Sequence, residues 1–223
     1  MKVLMINGSP RAKGNTARAL AEMEAVFAEQ GIEVETVRAG SDAVRGCIAC
    51  GSCGKTGACV FDDIVNELAP KFEQADGLVA ASPVYYGSAN ATMITVLDRL
   101  FYSSHFDKTM KVGAAVAVAR RGGLTATWDE LNKYFGISGM PIATGQYWNG
   151  VHGRVPGEAE QDGEGMQQMR TLARNRAFLM KGIALAKDAY GLPGRGPGFA
   201  APCQRRANGD LQKGVLPFCK SPC

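Results

Sequence analysis

Two alternating periods constrain this chain more than any other feature. Short apolar runs, "KVLMIN" (Lys2–Asn7), "GLVAASP" (Gly77–Pro83) and "KVGAAVAVA" (Lys111–Ala119), are separated by stretches in which apolar residues recur at helical spacing, as Leu20, Met23 and Phe27 do. Runs apolar at nearly every position suit strands buried on both faces, and their alternation with helices indicates a parallel sheet covered on both sides. The pattern places strands at 2–7, 32–39, 77–83, 111–119 and 140–148. It places helices over 15–30 (stopped by Gly31), about 64–72, about 88–102, 124–136 and about 165–190. The expected fold is an α/β, three-layer doubly wound domain with a five-stranded parallel sheet over residues 1–190. The final helix is expected to bury Phe178, Leu179, Ile183 and Leu185. From Gly191 the composition turns Gly/Pro-rich, in "GLPGRGPGF", so residues 191–223 are read as an irregular tail without periodicity.

Composition narrows the function. A net charge of +4 with no Lys/Arg run gives no nucleic-acid surface. The longest apolar run, Val112–Ala119, is too short to span a bilayer. "MKVLMING" reads as a buried strand and a turn rather than a signal peptide, so a cytoplasmic location is expected. In a reducing compartment the seven cysteines do not make a disulfide framework.

Chemistry concentrates in the loops after strands, where open α/β sheets bind ligands. "NGSPRAKGNT" (Asn7–Thr16) joins the first strand to the first helix. Ser9, Asn15 and Thr16 offer short donors, Arg11 offers charge, and Gly8 and Gly14 let the backbone curl towards an anion at a helix N-terminus. The spacing is neither a Walker A loop nor Gly-x-Gly-x-x-Gly, and it suits a terminal phosphate monoester. Taken alone, it suits an ordinary strand–helix turn equally well. The second loop, "SPVYYG" (Ser82–Gly87), tips the balance, because Pro83 stiffens it, Tyr85 and Tyr86 are aromatic, and Gly87 permits close approach, as a flat heterocycle needs. "ARRGG" (Ala119–Gly123) supplies a third wall. "GQYWNGVHG" (Gly145–Gly153) groups Tyr147, Trp148, Asn149 and His152, which suit either a site wall or interface packing.

"GCIACGSCGKTGACVFDD" (Gly46–Asp63) carries Cys47, Cys50, Cys53 and Cys59 in a Cys-x2-Cys-x2-Cys-x5-Cys spacing. Thiolates so spaced hold iron–sulfur clusters, although the x5 gap and Val60 depart from the ferredoxin run. Zinc or reduced thiols are the alternatives, and the cluster is the favoured reading. Asp63 reads as a helix N-cap rather than a catalytic acid. Cys203, Cys219 and Cys223 fit no ligand spacing.

"GSPRxxGNT", "SPVYYGSxxAxMxxxLDR" and the Arg/Gly-Gly turn resemble the NADPH-dependent FMN reductase family of flavodoxin-like proteins. The cysteine segment resembles its iron–sulfur flavoprotein branch, and the likeness covers about residues 1–190. It implies a flavodoxin-like sheet of order 2-1-3-4-5 with FMN at the switch point. By position, Ser9, Arg11, Asn15 and Thr16 would hold the FMN phosphate. Pro83, Val84, Tyr85, Tyr86 and Gly87 would line the isoalloxazine, with Arg120, Gly122, Gly123 and Trp148 beside them. Cys47, Cys50, Cys53 and Cys59 would bind a 4Fe–4S cluster. The resemblance further implies NAD(P)H as donor, an acceptor that is a quinone, a flavin or a protein, and a homodimer or homotetramer. A non-enzymatic electron carrier and a Cys-loop redox sensor are the competing readings.

Overall fold

The structure, a computed structural model, describes residues Met1–Gly194. The tail cysteines Cys203, Cys219 and Cys223, and the expected irregularity of most of the tail, lie outside the described residues. Five parallel strands form the sheet: β1 (Lys2–Asn7), β2 (Glu33–Arg38), β3 (Gly77–Tyr85), β5 (Val112–Ala119) and β6 (Gly150–His152). Their order is β2-β1-β3-β5-β6, and the two-residue β4 (Ser88–Ala89) pairs antiparallel with the end of β3. Counting only the parallel strands, this is the expected 2-1-3-4-5.

The pleat of β1 sorts the core. Val3 and Met5 point into one apolar layer with Leu20, Met23 and Phe27 of α1 (Asn15–Glu29) and Met169 and Leu172 of α6 (Gly163–Tyr190). Leu4 and Ile6 point to the other face. There they meet Leu68 and Phe72 of α3 (Ile64–Gln74), Leu97 and Leu100 of α4 (Ala91–Ser103), and Leu131 and Phe135 of α5 (Leu124–Ile137). A single turn, α2 (Cys53–Thr56), lies within the cysteine segment.

Three expectations need correction. The fifth strand is not continuous over 140–148. Residues 141–143 bond to Gly113 (Gly113 N–H to Pro141 O, 2.8 Å; Ala143 N–H to Gly113 O, 2.8 Å), the chain then leaves the sheet, and it returns as β6. Asn149 bridges the interruption: its Nδ2 donates to Ala115 O at 3.1 Å and its Oδ1 accepts from Gly145 N at 3.0 Å. A side-chain amide therefore replaces one rung of the ladder, which makes Asn149 a buried structural clamp and not a site wall. The helix expected from Ser88 begins at Ala91, because Tyr86 (φ 51°) and Gly87 (φ 81°) form the left-handed two-residue turn of a β3–β4 hairpin. Finally, Phe178 and Leu185 are exposed, because α6 buries the stripe of Met169, Leu172, Arg176 and Met180, and these two lie off it. Leu179 and Ile183 are partly buried against the core.

Candidate functional site

The first loop leaves β1 at the carboxyl edge of the sheet. Its cap, Gly14, is extended (φ −86°, ψ 176°) and no side chain caps α1, so the N–H groups of a 15-residue helix stay available to an anion. Ser9 Oγ accepts from Arg11 N at 3.2 Å, which folds the turn.

Neighbouring loops fasten this turn by contacts that leave little freedom. Asn90 caps α4 through Met93 N (3.2 Å), receives its place from Ser82 Oγ (3.0 Å to Asn90 N), and donates from Nδ2 to Gly8 O at 2.6 Å. Gly40, just past β2, lies so close that a Cβ there would sit 2.1 Å from Gly8 O. Arg38 Nη1 donates to Pro10 O at 3.2 Å. The carboxyl ends of β1, β2 and β3 are thus locked together around one turn.

Ser9, Arg11, Asn15, Thr16, Pro83, Val84, Tyr85 and Arg120 all line a single cleft of about 210 Å³. Arg11, Arg120 and Arg154 are among its lining residues and no carboxylate is, which suits an anion. Asn15 contributes differently from Ser9: its Nδ2 donates to Val155 O at 2.9 Å and its Oδ1 accepts from Ala159 N at 3.2 Å, so both ends hold the 153–159 segment over the cleft. The sequence reading stops at Gly153, the end of "GQYWNGVHG", and carries no signal for Arg154 and the residues after it. Arg154 lies far along the chain and becomes a neighbour only because Arg11 Nη1 donates to Arg154 O at 3.2 Å. Glu158 accepts from the N–H groups of Arg154 (2.5 Å) and Val155 (3.2 Å), which hold its carboxyl below the ordinary range.

Gly122, Gly123 and Trp148 line a second cavity of about 330 Å³ beside the cleft, together with Arg121, Leu124, Tyr147, His152 and Asp162. Tyr86 and Gly87 line neither cavity. Tyr86 stands fully exposed at the hairpin tip, and Gly87 packs on the third wall, where a Cβ on Gly123 would meet Gly87 Cα at 2.8 Å.

All four cysteines line one small cavity on the α4 side, with Phe61, Arg99 and Tyr102. Cys47 and Cys50 are exposed, Cys59 is half-buried and Cys53 is buried. Hydrogen bonds from the Ser52 hydroxyl and N–H hold the Cys50 thiol below its ordinary pKa. Buried Arg99 donates to Cys59 Sγ from Nε (3.2 Å) and Nη2 (3.1 Å), and forms a two-pronged pair with Asp63 at 2.7 and 2.9 Å. Asp63 also caps α3 by accepting from Val65 N at 3.1 Å, as expected. Asn66 holds Cys59 through N–H and C=O at 2.9 and 3.0 Å. Among the described residues no three His, Cys, Asp or Glu side chains are gathered closely enough to hold a metal ion. The donor set is nonetheless chemically apt, being four cysteines that line one cavity with a guanidinium on the sulfur of one of them.

A model of the NADPH-dependent FMN reductase family matches residues 1–153. The chain belongs to this family. Two relatives are both named iron–sulfur flavoproteins. That of Methanocaldococcus jannaschii is 34% identical over 189 residues, covering 81% of this chain and 98% of the relative. That of Methanosarcina thermophila is 32% identical over 193 residues, covering 84% and 100%. The fold matches a flavodoxin from the domain Archaea with a TM-score of 0.55 at 14% identity, covering 81% of this chain and 99% of that one. The sheet is therefore flavodoxin-like, and the cleft lies beyond the carboxyl ends of its strands, where open α/β sheets bind ligands. No helix among the described residues is long and apolar enough to cross a membrane.

Proposed function

We propose that the chain is an FMN-dependent oxidoreductase that takes electrons from NAD(P)H and passes them to a quinone, flavin or protein acceptor, with Cys47, Cys50, Cys53 and Cys59 holding a 4Fe–4S cluster. The observation that carries this reading is the convergence of Ser9, Arg11, Thr16, Pro83, Tyr85 and Arg120 on one cleft at the open helix N-terminus. Family membership and the names of the two relatives support it.

Bound FMN would supply hydride acceptance and one-electron release. Ser9, Thr16 and the first N–H groups of α1 bind its phosphate, and Arg11 and Arg120 neutralise it. Pro83, Val84 and Tyr85 orient the ring from one side, and the 153–159 segment, held by Asn15, excludes water. The four thiols would ligate the cluster, and the exposed 46–52 stretch would draw in around it, so that cluster assembly and loop ordering are coupled. Arg99 balances thiolate charge at Cys59. Residues 1–190 act as the flavin-binding unit, and the active form is a homodimer or homotetramer.

The test is NADPH and NADH oxidation by FMN-loaded protein under anaerobic conditions with ferricyanide as acceptor. Turnover above that of free FMN supports the reading. Tight flavin binding without turnover would make the chain an electron carrier instead.

A further inference from the structure

The second cavity shares walls with the flavin cleft. Arg120 and Gly153 line the cleft, while their chain neighbours Arg121 and His152 line the cavity. The paired ends of β5 and β6, with Ala119 opposite His152, lie between the two linings. At about 330 Å³ the cavity is within the range of small-molecule sites.

Its chemistry is specific. Trp148 and Tyr147 form an aromatic wall, with ring centroids 4.6 Å apart. At the polar end, His152 Nδ1 lies 3.4 Å from Asp162 Oδ2. The same carboxylate accepts from His152 N at 2.6 Å and caps α6 through Gly165 N at 2.9 Å. Asp162 is thus fixed by two backbone bonds and in turn orients the imidazole, leaving Nε2 without a partner among the described residues. Charge selects the ligand. Asp162 and Glu164 oppose Arg121 alone in the lining, which disfavours the diphosphate of a dinucleotide and favours an uncharged flat ring. The other acids near β6 are engaged elsewhere: Glu158 by backbone N–H groups, and Glu160 by Arg18 of α1 at 3.4 Å.

We propose that this cavity is the acceptor site for a quinone, and that His152, positioned by Asp162, is the proton donor to it. This rests on the oxidoreductase reading above. A quinone becomes a quinol by taking up two electrons and two protons. Reduced flavin would supply the two electrons one at a time across the β5–β6 ends, releasing its own two protons to water. The two protons for the quinol oxygens come through His152 Nε2, which breaks its N–H as O–H forms and is reprotonated from water after each transfer.

The test uses FMN-loaded full-length protein with menadione, a naphthoquinone, and ferricyanide, a one-electron acceptor that needs no proton. Calorimetry without donor should show menadione binding that Trp148→Ala weakens by about tenfold. His152→Gln should lower kcat with menadione by about 100-fold, and the ferricyanide rate by at most about threefold. Asp162→Asn should lower kcat with menadione by about tenfold and leave the ferricyanide rate within about threefold. Equal losses with both acceptors, or no menadione binding by the wild type, would overturn the proposal. Loss of NADPH turnover with ferricyanide in the wild type would instead strike the oxidoreductase reading, and the calorimetry would still judge this site.

Discussion

The flavin cleft and the cysteine loop both rise from the carboxyl edge of the sheet, and they are built on opposite plans. The cleft is fastened on several sides: Gly8 is pinned by Asn90 and crowded by Gly40, and Asn15 holds the 153–159 segment from both ends. The cysteine loop is fastened at Arg45, whose carbonyl accepts from Arg99, at Cys53 beside His105, and at Cys59, Phe61 and Asp63, while Cys47 and Cys50 between these anchors remain exposed. A preformed site gives up little entropy on binding, whereas an exposed stretch between anchors gains its order from what it binds. One helix serves both plans. Asn90 caps α4 at the cleft, and Arg99, nine residues on and about 14 Å along the axis, reaches the cysteines.

The largest expected effect separates the two plans at Arg99. Arg99→Ala leaves Asp63 without its partner and Cys59 without its donors, and should cost about 3–5 kcal/mol in urea denaturation. Iron incorporation should fall with it. A loss under about 1 kcal/mol would show that the pair is not the anchor of the loop.

Gly40→Ala places a methyl group against Gly8 backbone and should cost about 1–3 kcal/mol. It should also weaken FMN in fluorescence titration, while iron per folded chain is retained.

The paired amides sharpen the contrast. Asn90→Ala removes a helix cap and leaves Gly8 O unsatisfied, a loss of about 2 kcal/mol with weakened FMN binding. Asn66→Ala should cost about 1 kcal/mol and leave FMN affinity unchanged, while protease cleavage within 46–58 becomes faster. If both variants weaken FMN equally, the two regions are not independent.

The smallest effect concerns pH. Burial pulls the Glu22 carboxyl upward, but Arg170 and Arg18 outweigh it and hold it below its ordinary range, clamping α1 to α6. A lowered carboxylate contributes stability that is present above the unfolded-state pKa and is lost as pH falls through the folded value. Glu22→Gln should therefore lower Tm slightly at neutral pH and leave it unchanged in acid.

The parallel strands and the loops that carry ligand groups were legible because each is local in sequence: near-continuous apolar runs mark the strands and the loops follow directly, while the strand order came from the family resemblance. What escaped is long-range. The 153–159 segment reaches the cleft only through Asn15, and Arg99 reaches Cys59 across 40 residues. The edge strand was misplaced because Asn149 uses its side chain where a backbone rung was expected. Phe178 and Leu185 misled because apolar residues on a long helix need not share the buried stripe.

The account is tested most directly by anaerobic purification followed by assay of flavin, iron and acid-labile sulfide in one sample. It predicts about one FMN with about four iron and four sulfide per chain, and for Cys50→Ser full flavin with depleted iron. Full flavin without iron under strict anaerobiosis would contradict the cluster, and iron without flavin would contradict the cleft.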